Sequence, residues 1–102
     1  MKNKLLILLI SLSLYSCGSV IPIFNEVNLS QIQSNFPNFT KNDFLSARNS
    51  FISRCSGCHS LPALYLHTKK EWEDLLPEML AESKASEDEK ILITKYVLSF
   101  SK

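Results

Sequence analysis

Two segments after residue 40 place apolar residues at helical spacing, so that each would present one apolar face. The first predicted helix runs from about residue 41 to 54 and the last from about 87 to 100. The apolar positions are Phe44, Ala47 and Phe51 in the first and Ile93, Tyr96, Val97 and Phe100 in the last. Neither face is wide enough to be stable alone, so these helices are expected to pack together.

Helix-start signals mark three positions and add a third helix between the other two. Each is a Ser or Thr followed three residues later by an acid, the pattern in which both side chains bond to the backbone of the first turn. The three pairs are Thr40 with Asp43, Thr68 with Glu71, and Ser86 with Glu89. The middle helix begins at Lys69, and Pro77 is expected to kink or end it. No strand pattern competes, so the predicted fold is all-α.

The first sixteen residues are interpreted as a signal peptide that is removed from the mature protein. Lys2 and Lys4 precede an apolar run over residues 5–14, which is shorter than the roughly 20 residues that a membrane helix needs. Leu14, Ser16 and Cys17 then resemble the lipobox of bacterial lipoproteins. That resemblance implies an exported protein, anchored through lipid on Cys17 and facing the periplasm or the cell exterior. Secretory cleavage nearby and an unmodified Cys17 thiol remain alternatives.

Residues 17–40 are rich in Asn, Ser and Gln and are interpreted as a polar tether between the anchor and a domain at 41–102. Alternatively, Ile21, Ile23 and Phe24 pack onto that domain. Loss of Lys2 and Lys4 leaves 9 basic against 10 acidic residues, a net charge of −1. This balance does not favour nucleic acid as a partner. A domain of about 60 residues needs more than an apolar core for stability, which favours a bound group.

The run Cys55-Ser56-Gly57-Cys58-His59 is the attachment signature of c-type haem. Each thiol can add to one vinyl group of the porphyrin, and the adjacent His59 can then bind the iron. A redox dithiol is less consistent with the pattern because it normally follows a strand. A zinc site would need four ligands, and a plain disulfide would leave His59 unexplained.

Residues from Asp43 to the C-terminus resemble the monohaem class I c-type cytochromes. The spacing of Ala47, Phe51 and Cys55 is similar to the family pattern ahead of the motif, with Ala in place of the commoner Gly. The resemblance implies three main helices around one covalent haem. It also implies that the first and last helices cross near Ala47, with Tyr96 at the crossing.

The same resemblance implies a Met thioether as the sixth iron ligand. Met79 is the only methionine after the signal peptide, and its spacing from Trp72 and Leu76 is similar to a stretch of many small cytochromes. His67 or an open position on the iron are the alternatives. Further residues are expected to have supporting roles: Pro62 beside the proximal imidazole, Trp72 and Arg54 near the propionates, and Leu61, Leu64 and Leu66 along the porphyrin.

The expected function is one-electron transfer between a protein donor and a protein acceptor, and we do not expect an enzyme. Two alternatives stay open at this point. One is a haem subunit or sensor dedicated to a membrane complex, and the other is a peroxidase-like enzyme whose iron has an open position.

Overall fold

The computed structural model of the protein describes residues 21–55 and 63–102. They form four α-helices, with a single 3-10 turn at Leu64–Leu66 and no strand among the described residues. The predicted all-α fold is therefore confirmed. The helices are α1 at Glu26–Gln33, α2 at Lys41–Cys55, α3 at Lys69–Glu82 and α4 at Glu87–Ser99.

The three predicted helix starts are all confirmed, because each cap makes its reciprocal pair of hydrogen bonds. The Thr40 hydroxyl accepts from the Asp43 amide at 3.0 Å, and the Asp43 carboxylate accepts from the Thr40 amide at 2.9 Å. Capping boxes also open α3 and α4, through Glu71 and Glu89. These bonds satisfy amides that the first turn of a helix leaves without a partner.

Helix α3 continues past Pro77 to Glu82, so of the two outcomes expected at this proline, a kink or an end of the helix, the end is wrong. Leu76 and Leu80 are both buried, and packing on either side of the proline holds this turn in place. The helix ends instead near Lys84, whose φ of 62° is the left-handed conformation that commonly follows a helix terminus.

The core is centred on the packing of α2 against α4. Ala47 is completely buried on α2, and its small side chain allows the helices to approach closely. The Tyr96 ring of α4 lies 5.4 Å from the ring of Phe44, edge to face, and 6.2 Å from that of Phe51. Tyr96 is thus an aromatic residue of this interface.

The prediction of a tether is wrong for residues 21–40, which pack onto the other helices. Asn25 caps α1 by accepting from the Asn28 amide at 2.7 Å. The side chains of Ile21, Leu29, Ile32 and Phe39 are buried in the common core. Of the three residues in the alternative to the tether, Ile21 is buried and Phe24 packs against the core, whereas Ile23 is 59% exposed. Residues 17–20 of the predicted tether lie outside the described residues.

One backbone carbonyl joins this N-terminal segment to both principal helices. The Pro22 oxygen accepts from the Tyr96 hydroxyl at 2.6 Å and from Arg48 Nε at 3.1 Å. Burial raises the pKa of the Tyr96 phenol, so it keeps the proton that it donates. Residues 21–40 are therefore fixed by hydrogen bonds as well as by apolar burial.

None of the helices within 21–55 and 63–102 has the length and apolar character needed to cross a bilayer.

Replacing Tyr96 with Phe should lower the free energy of unfolding by about 1 kcal/mol, because it removes one hydrogen bond from a part-buried carbonyl and keeps the ring. Tyr65→Phe is the matched control, since Tyr65 is 60% exposed and its hydroxyl should contribute little. Urea unfolding of both variants measures the difference. Equal free energies of unfolding for the two variants would contradict a stabilising hydrogen bond from Tyr96 to the Pro22 carbonyl.

Candidate functional site

The first cysteine of the haem signature lies at the end of a helix and inside the core. Cys55 is the last residue of α2 and is only 6% exposed. It follows Ala47 and Phe51 at intervals of four residues, so all three belong to one buried face. The buried face of α2 therefore includes the first residue of the motif.

The remaining residues of the motif fall in the interval 56–62. Cys58 and His59, together with Leu61 and Pro62, lie outside the described residues, as does Cys17. Their predicted roles stay predictions. Where the description resumes, Ala63 and Leu64 are 7% and 1% exposed. The seven intervening residues therefore connect two points that are both buried.

Trp72 holds the chain in place at Leu64, the second of these buried positions. Its indole Nε1 donates to the Leu64 carbonyl at 2.8 Å, and the side chain is completely buried. A buried indole N–H needs such an acceptor, so this contact sets the position of the 3-10 turn against α3. The N–H suggested for a propionate contact is thus bonded to the backbone. Leu64 is a core residue, while Leu66 of the same turn is 59% exposed.

Met79 lies at the boundary between the core and the surface of α3. It is partly buried and packs against the core cluster. Trp72, Leu76 and Leu80 form the fully buried stripe of this helix. Met79 is at the edge of that stripe, one turn beyond Leu75, which is 41% exposed. The thioether is therefore neither sealed in the core nor fully in solvent.

His67, the alternative ligand, has contacts of its own at the start of α3. Its Nδ1 lies 3.7 Å from a Glu71 carboxylate oxygen, and its ring meets Trp72 edge to face at 5.1 Å. Its carbonyl accepts from the Lys102 amide at 2.9 Å. Hydrogen bonds from the Thr68 backbone and hydroxyl lower the pKa of Glu71, and the nearby imidazole adds to this effect.

An ion pair joins the residue before Cys55 to the start of α4. Arg54 Nε and Nη2 lie 3.1 and 3.2 Å from the two carboxylate oxygens of Glu89. The same carboxylate accepts from the Ser86 amide at 3.0 Å as part of the helix cap. The sequence predicted only the cap, because Arg54 and Glu89 are 35 positions apart. Arg54, suggested for a propionate, is bonded to Glu89.

Among residues 21–55 and 63–102, no group of three or more His, Cys, Asp or Glu side chains is arranged to hold a metal ion. The donor set of the sequence still fits haem c in its chemistry, because it supplies two thiols, an adjacent imidazole and one thioether. The structure adds that the first thiol residue is buried and that the thioether residue is at the core boundary.

The Glu89 carboxylate should make stability depend on acid pH. Hydrogen bonds from Arg54 and then from the Ser86 backbone lower its pKa from 4.5 to about 2. The contribution of the Glu89 carboxylate to the free energy of unfolding is therefore fully present above about pH 4.5 and is lost as the pH falls through about 2. Glu89→Gln keeps a capping side chain but removes the charge. We expect it to be less stable than the parent at neutral pH.

The deficit of this variant should shrink as the pH approaches 2. Thermal unfolding followed by circular dichroism over this pH range measures it, with Asp88→Asn in the same helix turn as the control. If the difference in stability between Glu89→Gln and the parent does not change with pH, the charge of Glu89 is not the cause of that difference.

Comparisons of the chain with protein-family models, with curated proteins and with solved structures found no match. The functional argument therefore depends on the residues and on their arrangement in the fold.

Proposed function

We propose that this chain is an exported c-type cytochrome that holds one haem covalently and transfers single electrons between protein partners. The observation that carries the proposal is the Cys55-Ser56-Gly57-Cys58-His59 signature, which begins at a buried residue on the last turn of α2. A thiol in that position can bond to an apolar ring system that becomes part of the core.

The residues of the signature have distinct chemical tasks. The Cys55 and Cys58 thiols each add across one vinyl double bond. Sulfur bonds to one vinyl carbon and the thiol hydrogen moves to the other, so the addition consumes no oxidant. The His59 imidazole binds the iron from the proximal side. When bound, the haem supplies a reversible one-electron couple.

Met79 is the proposed distal ligand. Its place at the edge of the buried stripe supports this role, because a modest side-chain rotation can direct a flexible thioether away from the core. The contacts of His67 with Glu71 and Trp72 support the same choice, since ligation by His67 would disrupt them. Iron with protein ligands on both sides has no open position for a substrate, which favours a carrier over an enzyme.

The small size of the domain also supports a bound haem. Tyr65, Leu66 and Leu75 are large apolar side chains that remain 60%, 59% and 41% exposed near the start and middle of α3. Covering apolar surface of this kind is worth roughly 25 cal/mol per Å². An apolar macrocycle attached at Cys55 and Cys58 is well suited to cover it.

Lipid attachment at Cys17 is the second part of the proposal. The basic start, the short apolar run and the Leu14, Ser16 and Cys17 pattern support it. A lipid anchor would hold the protein at a membrane surface facing the periplasm or the cell exterior, where its electron donor and acceptor would meet it.

Covalent haem should require the cysteines of the signature and not Cys17. We expect the parent chain, produced in a host with cytochrome c maturation, to retain haem after denaturation and acidic acetone extraction. The Cys55→Ser, Cys58→Ser double variant should lose it, whereas Cys17→Ser should keep it. The pyridine haemochrome spectrum measures bound haem in all three. A parent chain without covalent haem would refute the proposed function.

Loss of the Met79 thioether should change the ligands of the iron and lower its reduction potential. In Met79→Leu we expect the weak ferric sulfur-to-iron band in the far red to disappear. The potential should fall by on the order of 0.1 V, because thioether ligation raises it. His67→Gln is the control and should leave both properties as in the parent. A parent protein without this band, whose spectrum changes in His67→Gln and not in Met79→Leu, would assign the distal ligand to His67.

A further inference from the structure

Three large apolar side chains are exposed around the N-terminal segment. Ile23 is 59% exposed, Val27 of α1 is 75% exposed, and Leu45 of α2 is 41% exposed. We refer to these three residues as the N-terminal apolar surface. Isolated apolar residues on a protein surface are ordinary. These three are notable because contacts made by neighbouring groups place them on the same part of the surface.

Two sets of contacts bring the three residues together. The Asn28 amide side chain donates to the Ile23 carbonyl at 2.8 Å, so Ile23 lies beside the turn of α1 that contains Val27.

The segment that includes Ile23 also runs along α2. At one end Lys41 Nζ lies 5.0 Å from the centre of the Phe24 ring, and at the other Arg48 Nε donates to the Pro22 carbonyl. Residues 41, 45 and 48 share one face of a helix. Leu45 therefore lies between the two contacts, beside Ile23.

The opposite side of the same segment is already used by the core. Ile21, Leu29 and Ile32 are at most 9% exposed. The segment from Ile21 to Ile32 thus has apolar side chains on two sides, and only one of these sides is covered within the domain. The contacts of this segment with α2 involve the Lys41 and Arg48 cations, and α1 carries one acid, Glu26, in its first turn.

The length of chain before the domain limits what can cover this surface. Cys17 is four positions before Ile21, and Ile21 is buried in the core. Four residues span at most about 14 Å when fully extended. Lipid on Cys17 would therefore keep residues 21–27 close to the membrane, with no room for the long excursion that a 24-residue tether allows.

We propose that the N-terminal apolar surface binds the lipid bilayer itself, so that the domain rests on the membrane in one orientation. This inference rests on the lipid attachment proposed above. Apolar side chains at such an interface enter the region between headgroups and acyl chains, and anchoring is stable when a second contact supports the lipid. Lys41 and Arg48 suit the negative surface of a bilayer.

Binding in this orientation leaves the haem attachment point accessible to protein partners. Leu45 and Cys55 are ten positions apart on α2, which places them about 15 Å apart along the helix axis. The bilayer contact and the electron-transfer site are thus at different parts of the domain.

A nitroxide at position 27 tests the contact. In the mature holoprotein the three native cysteines are modified, so Val27→Cys supplies one reactive thiol. We would label this variant in vesicles of phosphatidylethanolamine and phosphatidylglycerol and measure its collision rates with oxygen and with a water-soluble nickel chelate. The label should be immersed about 5 Å or more below the phosphates. Ile91→Cys is the control, since Ile91 is exposed to a similar degree on α4.

We expect the Ile91→Cys label to report water, and added Ile23→Glu and Leu45→Glu changes to bring the Val27→Cys label to the surface. Equal nickel access at positions 27 and 91 would overturn the proposal. So would burial of the label in native membranes but not in vesicles, which would indicate a protein partner.

Mass spectrometry of each sample separates this inference from its premises. A chain without acyl groups on Cys17 would overturn the lipid anchor and this inference with it. An acylated chain with an exposed label would overturn the inference alone. A chain mass that lacks the haem would be a failure of the proposed haem and not of the membrane contact.

Discussion

The packing of Tyr96 between α2 and the N-terminal segment is the interaction on which the rest of this fold depends. Its ring is completely buried against Phe44, Phe51 and Phe100, and its hydroxyl reaches the Pro22 carbonyl. One side chain thereby joins α4 to α2 and both to the segment that leads into α1. In a domain this small, few other residues could connect three parts of the chain at once.

This arrangement has consequences for the haem signature. The faces of α2 and α4 that meet at Tyr96 determine which side of α2 is buried, and Cys55 is the last residue on that side. The Arg54 and Glu89 ion pair holds the same end of α2 to the start of α4. The hydrogen bond from Trp72 to Leu64 then fixes the chain again after the signature. The proposed haem-binding segment is thus attached at both ends to rigid elements, which suits a site that must not rearrange on electron transfer.

Packing of residues 21–40 also changes the expected relation between the domain and the membrane. A flexible tether would let the domain diffuse within a shell around its anchor, whereas a packed α1 leaves only a few residues between Cys17 and the core. The proposed electron carrier would therefore work at the membrane surface and not at a distance from it. Such a position favours partners that are themselves bound to the membrane.

Much of the architecture was predictable from local signals. The caps at Thr40, Thr68 and Ser86 and the spacing of Phe44, Ala47 and Phe51 gave the starts and faces of the helices, because caps and periodicity act over only a few residues. The chemistry proposed for the site likewise comes from residue types at short spacing, from Cys55 to His59.

The sequence by itself determined the helices α2, α3 and α4, where they begin, and which residue types are available to bind a haem. Only the tertiary structure decided that residues 21–40 belong to the domain, that α3 continues through Pro77, and that Arg54 pairs with Glu89. The reason is physical. Each of these features depends on burial or charge contributed by residues distant in sequence, such as Tyr96 for Pro22 and Glu89 for Arg54. Such contacts leave no periodic pattern along the chain.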